Sequence, residues 1–555
     1  MWRTVQAVAL GAAVASGSPE LSRQNRSAGT SAELHPWRPN IVLFLQDDQD
    51  EYLGGWAPMR QAEELVARRG VRAQNFFIHT PVCCPSRAEL LSGRYFHNVR
   101  MSTPAGGVMH VDVGKVNPNS FVRHLSRAGY TAGWFGKHMN LCPHEPPPGF
   151  NCETCYWFAN DGGTDREPGG YLNATFSDFA GGIPCSDTRY HRTPGTYTAN
   201  TAGEFAGYTT SIIANKSIEW VRKVGRGPRP FFAAVASKGP HVPSTPAPWY
   251  ASAFSDRSAP RTPDYNASAE QLANHHWLIA QQGPITEAEG RTIDELFRNR
   301  WRTLLSVDDA IAGVVKVLEE LQIANSTYVL ITSDHGFNLG QHRLPSCKLN
   351  VYDHDIRIPM VIRGPGIAAG SGFDAPASNV DIGPTILGLA GLDGSAVEPP
   401  MDGRSFAPLI VDLQHPAVLP ATQEHLRREQ AKWHPGHWRK HHLVEYHSLG
   451  RVVRTGHLVD DPNSNTYRAL RFTSGGPVGS GNMLYAEFTA VEDWNFSAPS
   501  FVEIFDLDRD PHQLTNLATS VSASIKLRLH EQVRQMWECS GEGCEGSIEA
   551  VAFMV

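Results

Sequence analysis

The sequence predicts an α/β fold in which helices flank a large, mostly parallel sheet and a smaller antiparallel sheet follows near the C-terminus. The segment "NIVLFLQ" (Asn40–Gln46) is continuously apolar, which is typical of a strand buried on both faces of a parallel sheet. Similar apolar runs alternate with helical patterns further along the chain, as expected for parallel strands joined by right-handed crossovers. After about residue 410, short runs of alternating polarity replace them.

Three helix–strand pairs repeat the first pattern. In the third pair, the apolar residues from Leu304 to Leu321 are spaced three or four positions apart and form one helical stripe. The pairs are predicted, in order, at 120–130 with 131–137, at 209–224 with 230–237, and at 303–321 with 327–332. The C-terminal sheet is predicted from strands at 443–448, 468–474 and 501–508, and a helix is predicted at 520–538.

The chain divides into four predicted segments. Residues 1–17 combine a single Arg, a short apolar run and small residues, a pattern typical of a signal peptide. Residues 18–38 are polar and predict a flexible lead-in. The main α/β domain is expected over 39–410 and the smaller subdomain over 411–555, whose His-rich stretch at 434–442 is expected at the surface or at the rim of a substrate site.

Composition excludes some classes of function and indicates a compartment. The net charge of −7 over 555 residues provides no basic field for nucleic acid, and no stretch approaches the roughly 20 apolar residues of a membrane span. Together with the leader, the Asn-x-Ser/Thr sequons indicate a glycoprotein of the secretory pathway, either lysosomal or extracellular. These sequons are Asn25, Asn173, Asn215, Asn266, Asn325 and Asn495.

The nine cysteines are an odd number, so at least one has a role other than a disulfide. Cys539 and Cys544 are spaced to close a small loop. Disulfides are also expected among the cysteines of a Pro/Gly-rich region, which are Cys142, Cys152, Cys155 and Cys185.

Polar residues directly follow four of the predicted strands. In open α/β sheets, ligands bind at the carboxyl ends of the strands, so these residues are expected to converge on one edge. They are Asp47, Asp48, Lys137, His241, Asp334 and His335. Carboxylates with no thiolate pair beside them favour calcium or magnesium over zinc. Lys137, Arg87 and Lys348 would add positive charge suited to a small oxyanion such as sulfate or phosphate, and His241 is a candidate general acid or base.

The stretch "CCPSRAELLSGR" (Cys83–Arg94) resembles the signature of the type I sulfatases, Cys-x-Pro-Ser-Arg followed by Ala-x-Leu-Leu-Thr-Gly-Arg, with Ser92 in place of the usual Thr. Within that family the chain is similar to the N-acetylglucosamine-6-sulfatases, most of all in "DDQDEYLGGWAPM", "HHWLI" and "FRNRWRTLLSVDD". The resemblance runs from residue 39 to the C-terminus. It is also carried by "PNIVLFLQDDQD", "GK" at 136–137, "PH" at 240–241, "TSDHG" at 332–336, Lys348, "DIGPTIL", "MDGRS" and "DRDPHQLTNLA".

The resemblance implies a sulfatase catalytic domain over 39–410 whose nucleophile is made after translation. Cys83 would be oxidised by the formylglycine-generating enzyme to formylglycine (3-oxoalanine), which hydrates to a geminal diol. One hydroxyl would attack sulfur, and the second would then expel sulfate and restore the aldehyde. Cys84 occupies the variable position of the motif and is expected to remain a small buried thiol.

The resemblance also implies roles for the neighbouring residues. One calcium ion per chain would be held by Asp47, Asp48, Asp334, His335 and the modified Cys83, although most relatives carry Asn at the position of His335. Arg87 would hold the formylglycine, while Lys137 and Lys348 would stabilise charge on the sulfuryl oxygens. Either His241 or Lys348 would protonate the leaving oxygen.

The segment "GKHMN" departs from the family pattern. Many sulfatases carry a histidine two residues after the lysine, where this chain has Met139 between His138 and Asn140. The base that deprotonates the formylglycine hydrate is therefore not identified. Lys238 is either a further cation at the rim of the site or a solvated loop lysine.

The expected activity is removal of 6-O-sulfate from N-acetylglucosamine at the end of a sulfated glycan of the heparan- or keratan-sulfate type, as in glycosaminoglycan degradation. The alternatives are a broader arylsulfatase, a phosphonate or phosphate-ester hydrolase, and an inactive glycan-binding homologue. The intact motif around Cys83 and the three aspartates argue against the inactive homologue.

Overall fold

The computed structural model describes most of the chain from Arg38 to Gly546. The described ranges are 38–101, 111–140, 145–160, 170–172, 174–186, 196–198, 207–394, 397–432, 438–448, 451–455, 458–461, 465–489 and 495–546. The predicted signal peptide, all but the last residue of the predicted lead-in, and Asn25, Cys142 and Asn173 lie outside the described residues. Among the described helices, none combines the length and apolar character that a bilayer crossing requires.

Eleven strands form the main sheet in the described part of the chain, in the order β12-β2-β11-β10-β1-β9-β4-β5-β6-β7, with β8 beside β6. The strands are β1 (Asn40–Gln46), β2 (Val71–Ala73), β3 (Phe76–Phe77), β4 (Thr131–Lys137), β5 (Tyr156–Asn160), β6 (Thr175–Ala180), β7 (Ile183–Pro184), β8 (Thr196–Thr198), β9 (Phe231–Ala236), β10 (Thr327–Ser333), β11 (Met360–Arg363), β12 (Ser371–Phe373), β13 (Ala377–Ser378), β14 (His441–Tyr446), β15 (Arg451–Thr455), β16 (Leu458–Asp461), β17 (Thr466–Phe472), β18 (Met483–Thr489) and β19 (Phe501–Asp506).

The five neighbouring strands β10, β1, β9, β4 and β5 are parallel, and antiparallel pairs lie on both sides of them. The predicted mostly parallel sheet is thus confirmed at its centre. In β1, Ile41, Leu43 and Leu45 pack into one apolar cluster, whereas Val42 and Phe44 pack into the cluster on the opposite face. Burial on both faces explains why the segment is continuously apolar.

Helices cover both faces of the sheet. The helices of the described part of the chain are α1 (Arg60–Leu65), α2 (Cys83–Ser92), α3 (Phe96–Val99), α4 (Val113–Val116), α5 (Phe121–Arg127), α6 (Thr209–Val224), α7 (Ala269–Leu272), α8 (Trp277–Ala280), α9 (Glu287–Glu320), α10 (Asp353–Ile356), α11 (Ile382–Leu389), α12 (Ala407–Ile410), α13 (Pro420–Lys432), α14 (Ala523–Glu538) and α15 (Gly543–Gly546). Buried residues of α1, α6 and α9 join the Val42 cluster, and those of α2, α5 and α11 join the Ile41 cluster.

The C-terminal antiparallel sheet has the order β14-β17-β18-β19, and α14 packs against it through Leu529, Val533 and Met536. The predicted strands at 443–448, 468–474 and 501–508 correspond to β14, β17 and β19. Residues 434–437 of the His-rich stretch lie outside the described residues, whereas His441 and His442 are buried in β14, so for them the expected surface position is wrong.

Two disulfides lie among the described residues, Cys152–Cys155 and Cys539–Cys544, as the sequence predicts. Cys185 is not joined to another described cysteine. Burial and the nearby Asp178 carboxylate raise the pKa of its thiol to about 11. Cys84 is buried, as expected.

Candidate active site

The predicted strand-end residues meet at one edge of the sheet because β10, β1, β9 and β4 are neighbours. Asp47 follows β1 and forms a bridge with Pro240 after β9, while Asp334 follows β10 and donates its backbone N–H to the carbonyl of Gln46 (3.1 Å). Lys137 ends β4. The parallel register therefore brings together residues that are almost 300 positions apart in the chain.

Cys83 is the first residue of α2 and is buried among these groups. Its Sγ lies 3.5 Å from Asp47 Oδ1, 3.3 Å from His335 Nε2 and 3.5 Å from Lys348 Nζ. Backbone N–H groups in the first turn of a helix have no partner within it, so the start of α2 favours negative charge on Cys83. The structure thus brings the motif cysteine to the centre of the predicted cluster.

Three cations pair with three carboxylates around Cys83. Lys137 Nζ lies 2.6 Å from Asp47 Oδ2, and Lys348 Nζ lies 2.6 Å from Asp48 Oδ1. Arg87 donates from Nε to Asp334 Oδ2 (2.7 Å) and from Nη1 to the carbonyl of Lys137 (2.9 Å). All except Lys348, whose side chain is 13% exposed, are almost completely buried.

Burial and charge shift the pKa values of this cluster in opposite directions. Burial alone would raise the pKa of Asp47, but the neighbouring cations, Lys137 foremost, together outweigh it and hold the pKa of this carboxyl well below its usual range. In the same way, Lys137 and Lys348 outweigh burial and lower the pKa of the Cys83 thiol. Burial opposes the charged form of His335, yet Asp334 and the other anions raise its pKa to about 9. The site therefore keeps Asp47 ionised and favours negative charge on the side chain at position 83.

The donor set fits a metal cation. Ligand atoms of Asp47, Asp48, Cys83 and His335 all lie within 4.8 Å of one another. Asp48 Oδ2 is buried with no hydrogen-bond partner, a costly arrangement that a cation would relieve. Asp334 adjoins this group, since its Oδ1 accepts from the backbone N–H of Asp48 (3.1 Å) and lies 3.5 Å from His335 Nε2. Asp47 and Asp48, together with the unpaired Oδ2 of Asp48, therefore form an acidic site of the kind that a hard cation binds.

Sequence reasoning missed Arg300, which supports Asp48 from α9. Asp48 has φ of 71°, in the left-handed region, and its carbonyl accepts from Arg300 Nη2 (2.7 Å). The same guanidinium pairs with Asp50 (2.7 Å), whose other oxygen accepts from the backbone N–H of Leu53 and Gly55. The available signal was the position of Arg300, four residues before Leu304 on the apolar stripe of α9, because an Arg on a buried stripe needs a partner.

His241, Lys238 and His138 have different environments. His241 is half-buried, its Nδ1 lies 2.5 Å from the carbonyl of Val242, and its charge contributes to lowering the pKa of Asp47 and Asp48 against burial. Lys238 is only 3% exposed, so the alternative of a solvated loop lysine is wrong. His138 packs edge-on to Trp134 and Trp157, and burial lowers its pKa to about 3.

The described sequons differ in exposure. Asn215, Asn325 and Asn495 are exposed. The side chain of Asn266 is bonded to both backbone groups of Ile285 and is partly buried. Glycosylation at these positions remains a prediction.

The chain shares its overall fold with solved structures of other proteins. A solved structure of a protein in complex with its substrate D-glucosamine-2-N,6-O-disulfate superposes with a TM-score of 0.66 at 19% identity, covering 93% of this chain and all of that one. The phosphonate monoester hydrolase of Agrobacterium radiobacter superposes with a TM-score of 0.61 at 19% identity, covering 90% of this chain and 95% of that one.

The chain belongs to the sulfatase family, whose model matches residues 39–392. It is 32% identical to the N-acetylglucosamine-6-sulfatases of Capra hircus and Homo sapiens, over 91% of this chain and 85% and 86% of those proteins. It is 27% identical to the arylsulfatase of Volvox carteri, over 93% of this chain and 77% of that protein. The protein is thus a sulfatase, an enzyme that hydrolyses sulfate esters.

Proposed function

We propose that this sulfatase removes the 6-O-sulfate from N-acetylglucosamine residues at the ends of heparan- or keratan-sulfate-type glycans. Support comes from the relatives named N-acetylglucosamine-6-sulfatase, which are similar over nine-tenths of the chain. A broader arylsulfatase is the second candidate, because the Volvox carteri relative aligns over a similar share.

Cys83 is the proposed position of the nucleophile, and its placement among Asp47, His335 and Lys348 is the observation that carries the mechanism. The formylglycine made from it supplies, as a hydrate, one hydroxyl to bond sulfur and a second to release sulfate. In this chain the start of α2 and the surrounding cations would hold that side chain and its negative charge. Arg87 would hold Asp334 and the end of β4 in place through its hydrogen bonds to Asp334 Oδ2 and to the carbonyl of Lys137.

Lys137 and Lys348 are the proposed partners of the sulfuryl oxygens. Both ammonium groups are paired with aspartates, so their positions are fixed before substrate binds. Preorganised charge of this kind acts without further reorganisation during the reaction. Either His241 or Lys348 would protonate the leaving sugar oxygen.

Asp47, Asp48, Asp334 and His335 would hold one calcium ion. When bound, calcium supplies positive charge that polarises the sulfate ester. The unpartnered Asp48 Oδ2 supports this assignment. His335 is the least typical ligand of the set, because calcium prefers oxygen.

Maturation in the secretory pathway follows from the same proposal, with the formylglycine-generating enzyme as partner and the lysosome or the extracellular space as destination. The two disulfides support an oxidising compartment. Two relatives are named extracellular sulfatases, from Caenorhabditis elegans and Drosophila melanogaster, at 30% identity.

The substrate proposal is tested by comparing desulfation of N-acetylglucosamine-6-sulfate with that of an aryl sulfate. We expect the sugar to have the higher kcat/KM. Release from the aryl sulfate alone would favour the second candidate.

Mass spectrometry of the peptide containing Cys83 should find the aldehyde, and an unmodified cysteine in active protein would refute the mechanism. Cys83→Ala should abolish turnover, whereas Cys84→Ala should retain it.

Calcium removal gives a separate prediction. A bound cation would reduce the repulsion between the carboxylates. Removal of calcium with a chelator should therefore lower both the activity and the unfolding temperature of the protein, and added calcium should restore both. Asp48→Asn should weaken the calcium response, measured as the midpoint of reactivation. Full activity after exhaustive chelation would contradict the calcium assignment.

A further inference from the structure

A second group of metal-ligating side chains lies outside the cluster around Cys83. It consists of Asp264, His342 and His354, each at most 1% exposed, with ligand atoms all within 4.8 Å of one another. The mechanism above uses none of these residues. Two imidazoles and a carboxylate buried together require a partner or a shared charge.

The backbone brings two of these residues together by a specific local arrangement. Tyr265 and Gln341 form an isolated antiparallel bridge, and His342 donates its backbone N–H to the carbonyl of Asp264 (2.8 Å). His342 has φ of 51°, in the left-handed region that non-glycine residues rarely adopt. Such strain needs support from surrounding contacts, and a bound ion would provide it.

Hydrogen bonds on the far side of each ring determine which nitrogen faces the centre of the group. His342 Nε2 lies 3.1 Å from the carbonyl of Gln513, which can only accept, so this nitrogen carries the proton. His354 Nδ1 lies 2.7 Å from Asp355 Oδ1, a carboxylate that likewise accepts. The remaining nitrogens, His342 Nδ1 and His354 Nε2, lie 3.4 Å apart, within hydrogen-bonding distance. Either a shared proton or a metal cation must lie between them.

Asp264 favours the metal over the proton. Its Oδ2 lies 4.0 Å from His342 Nδ1, and its Oδ1 is buried without a hydrogen-bond partner. A divalent ion would satisfy this carboxylate and both nitrogens together, whereas a single shared proton leaves Oδ1 unsatisfied. His512 Nδ1 lies 3.5 Å from the same Oδ1, but this nitrogen is already hydrogen-bonded to the hydroxyl of Tyr52 (2.5 Å).

We infer that Asp264, His342 and His354 bind a zinc ion. Imidazole and carboxylate ligands suit zinc, and three protein ligands leave a fourth position for water. Ligating histidines usually donate their second ring N–H to a carboxylate or carbonyl, as His354 does to Asp355 and His342 does to Gln513.

Zinc here would stiffen the segment that carries Lys348. The backbone N–H of Phe337 donates to the carbonyl of His354 (2.9 Å), and that of Gly336 donates to Asp355 (2.8 Å). Asp355 Oδ2 also accepts from the backbone N–H of Asn350 (2.9 Å), two residues after Lys348. The ion would thus connect both ends of the 336–355 segment to the loop containing Asp264.

Metal analysis of the full chain tests the inference. Protein stripped of transition metals and kept in excess calcium should retain one zinc ion per chain after zinc is added and dialysed. Cobalt, used as a spectroscopic substitute, should give the visible absorption of a four-coordinate site. His354→Gln and Asp264→Asn should each weaken zinc binding by about tenfold or more, since even the loss of a group behind a ligand has a cost of this size. Zinc should also raise the unfolding temperature of the unmutated protein more than that of either variant.

Asp47→Asn is the matched control, because it alters the other metal-ligating group. This variant should still bind zinc as tightly as the unmutated protein. No retained zinc in the unmutated protein would show that only a proton is shared, and would overturn the inference. Loss of zinc in Asp47→Asn with retention in His354→Gln would overturn it as well, since the ion would then belong to the Cys83 cluster.

Discussion

Three carboxylates and three cations surround Cys83, so the side chains around this residue are close to electrically neutral as a group. Lys137, Lys348 and Arg87 each pair with a different aspartate at hydrogen-bonding distance. A divalent cation added to this frame leaves a net positive charge, which suits an anionic sulfate ester and its dianionic product. Because every aspartate already has a counter-charge, the burial that would otherwise be prohibitive is tolerated.

Lys348 is the most accessible of the three cations and provides a residue-scale prediction. Lys348→Met should lower kcat by about 10²–10³, the usual cost of removing one preorganised charge donor from a transition state. Steady-state kinetics in excess calcium should show most of the loss in kcat, since this charge acts on the reacting sulfuryl group.

Lys316→Met is the control, because Lys316 is exposed on α9. It should leave kcat unchanged. A loss of less than tenfold in Lys348→Met, or a change in KM alone, would show that Lys348 only binds substrate.

At the scale of elements, Asp308 connects two helices. The N-cap residue of α1, Met59, makes no side-chain cap, and Asp308 on α9 supplies it instead. Its oxygens accept from the backbone N–H groups of Gln61 (2.8 Å) and Ala62 (2.7 Å). The carboxylate thereby satisfies donors that a helix start leaves unpaired.

Asp308→Ala should therefore lower the free energy of unfolding by about 2 kcal/mol, the upper range for loss of a cap. Urea denaturation measures this. Asp309→Ala is a matched control at the next position, because Asp309 is exposed and its oxygens accept only from side chains, Gln61 and Tyr250. If both variants lose the same free energy, the cap does not account for the effect of Asp308.

The elements predicted with the correct bounds are those whose apolar pattern is regular along the whole segment. β1 and α6 have the predicted bounds, because an entirely apolar strand and a strongly amphipathic helix have one reasonable assignment. Helix α9 begins at Glu287 instead of 303, since its first turns are polar. The capping box of Thr286 with Glu289 was the missed signal for that start.

The candidate site could be located from the sequence because its residues follow strand ends. Asp47, Asp48, Lys137 and Asp334 meet as the parallel-sheet rule requires. The group around His342 could not be located this way. Asp264, His342 and His354 are in loops and a short helix, and only backbone bonds made in the folded chain bring them together.

For the whole molecule, buried histidines control stability in acid. Burial lowers the pKa of several described imidazoles, which are His79, His138, His276, His342, His441, His442 and His447. Each is neutral in the folded state at a pH where the unfolded chain, with an ordinary pKa near 6.5, has already bound a proton. The unfolded state then binds more protons, so the free energy of unfolding falls as the pH drops below about 6.5.

Some groups act in the opposite sense. Neighbouring anions together outweigh burial and raise the pKa of His97, His335 and His354, while burial raises the pKa of Glu89 and Glu503. These groups bind protons more readily in the folded state, so they stabilise the protein as the pH falls. We expect a net loss of stability between pH 6.5 and 4, because the seven buried histidines stay neutral in the folded state over most of this range while the unfolded chain binds a proton at each.

A variant of His276 measures how much a single buried histidine contributes to the loss of stability in acid. Its ring stacks on Phe488 (4.3 Å between centroids), and burial lowers its pKa to about 4. A fall from 6.5 to about 4 corresponds to about 3 kcal/mol of stability lost between neutral pH and pH 4. His276→Phe keeps an aromatic ring in the stack and removes the proton-binding group. In urea denaturation from pH 8 to 4, the free energy of unfolding of this variant should therefore depend on pH less than that of the unmutated protein, by up to about 3 kcal/mol.

His415→Gln is the control, because His415 is exposed, and it should leave the pH dependence of the free energy of unfolding unaltered. If the His276→Phe profile parallels that of the unmutated protein, protonation of this ring does not contribute to acid unfolding, and the loss must come from the other buried histidines.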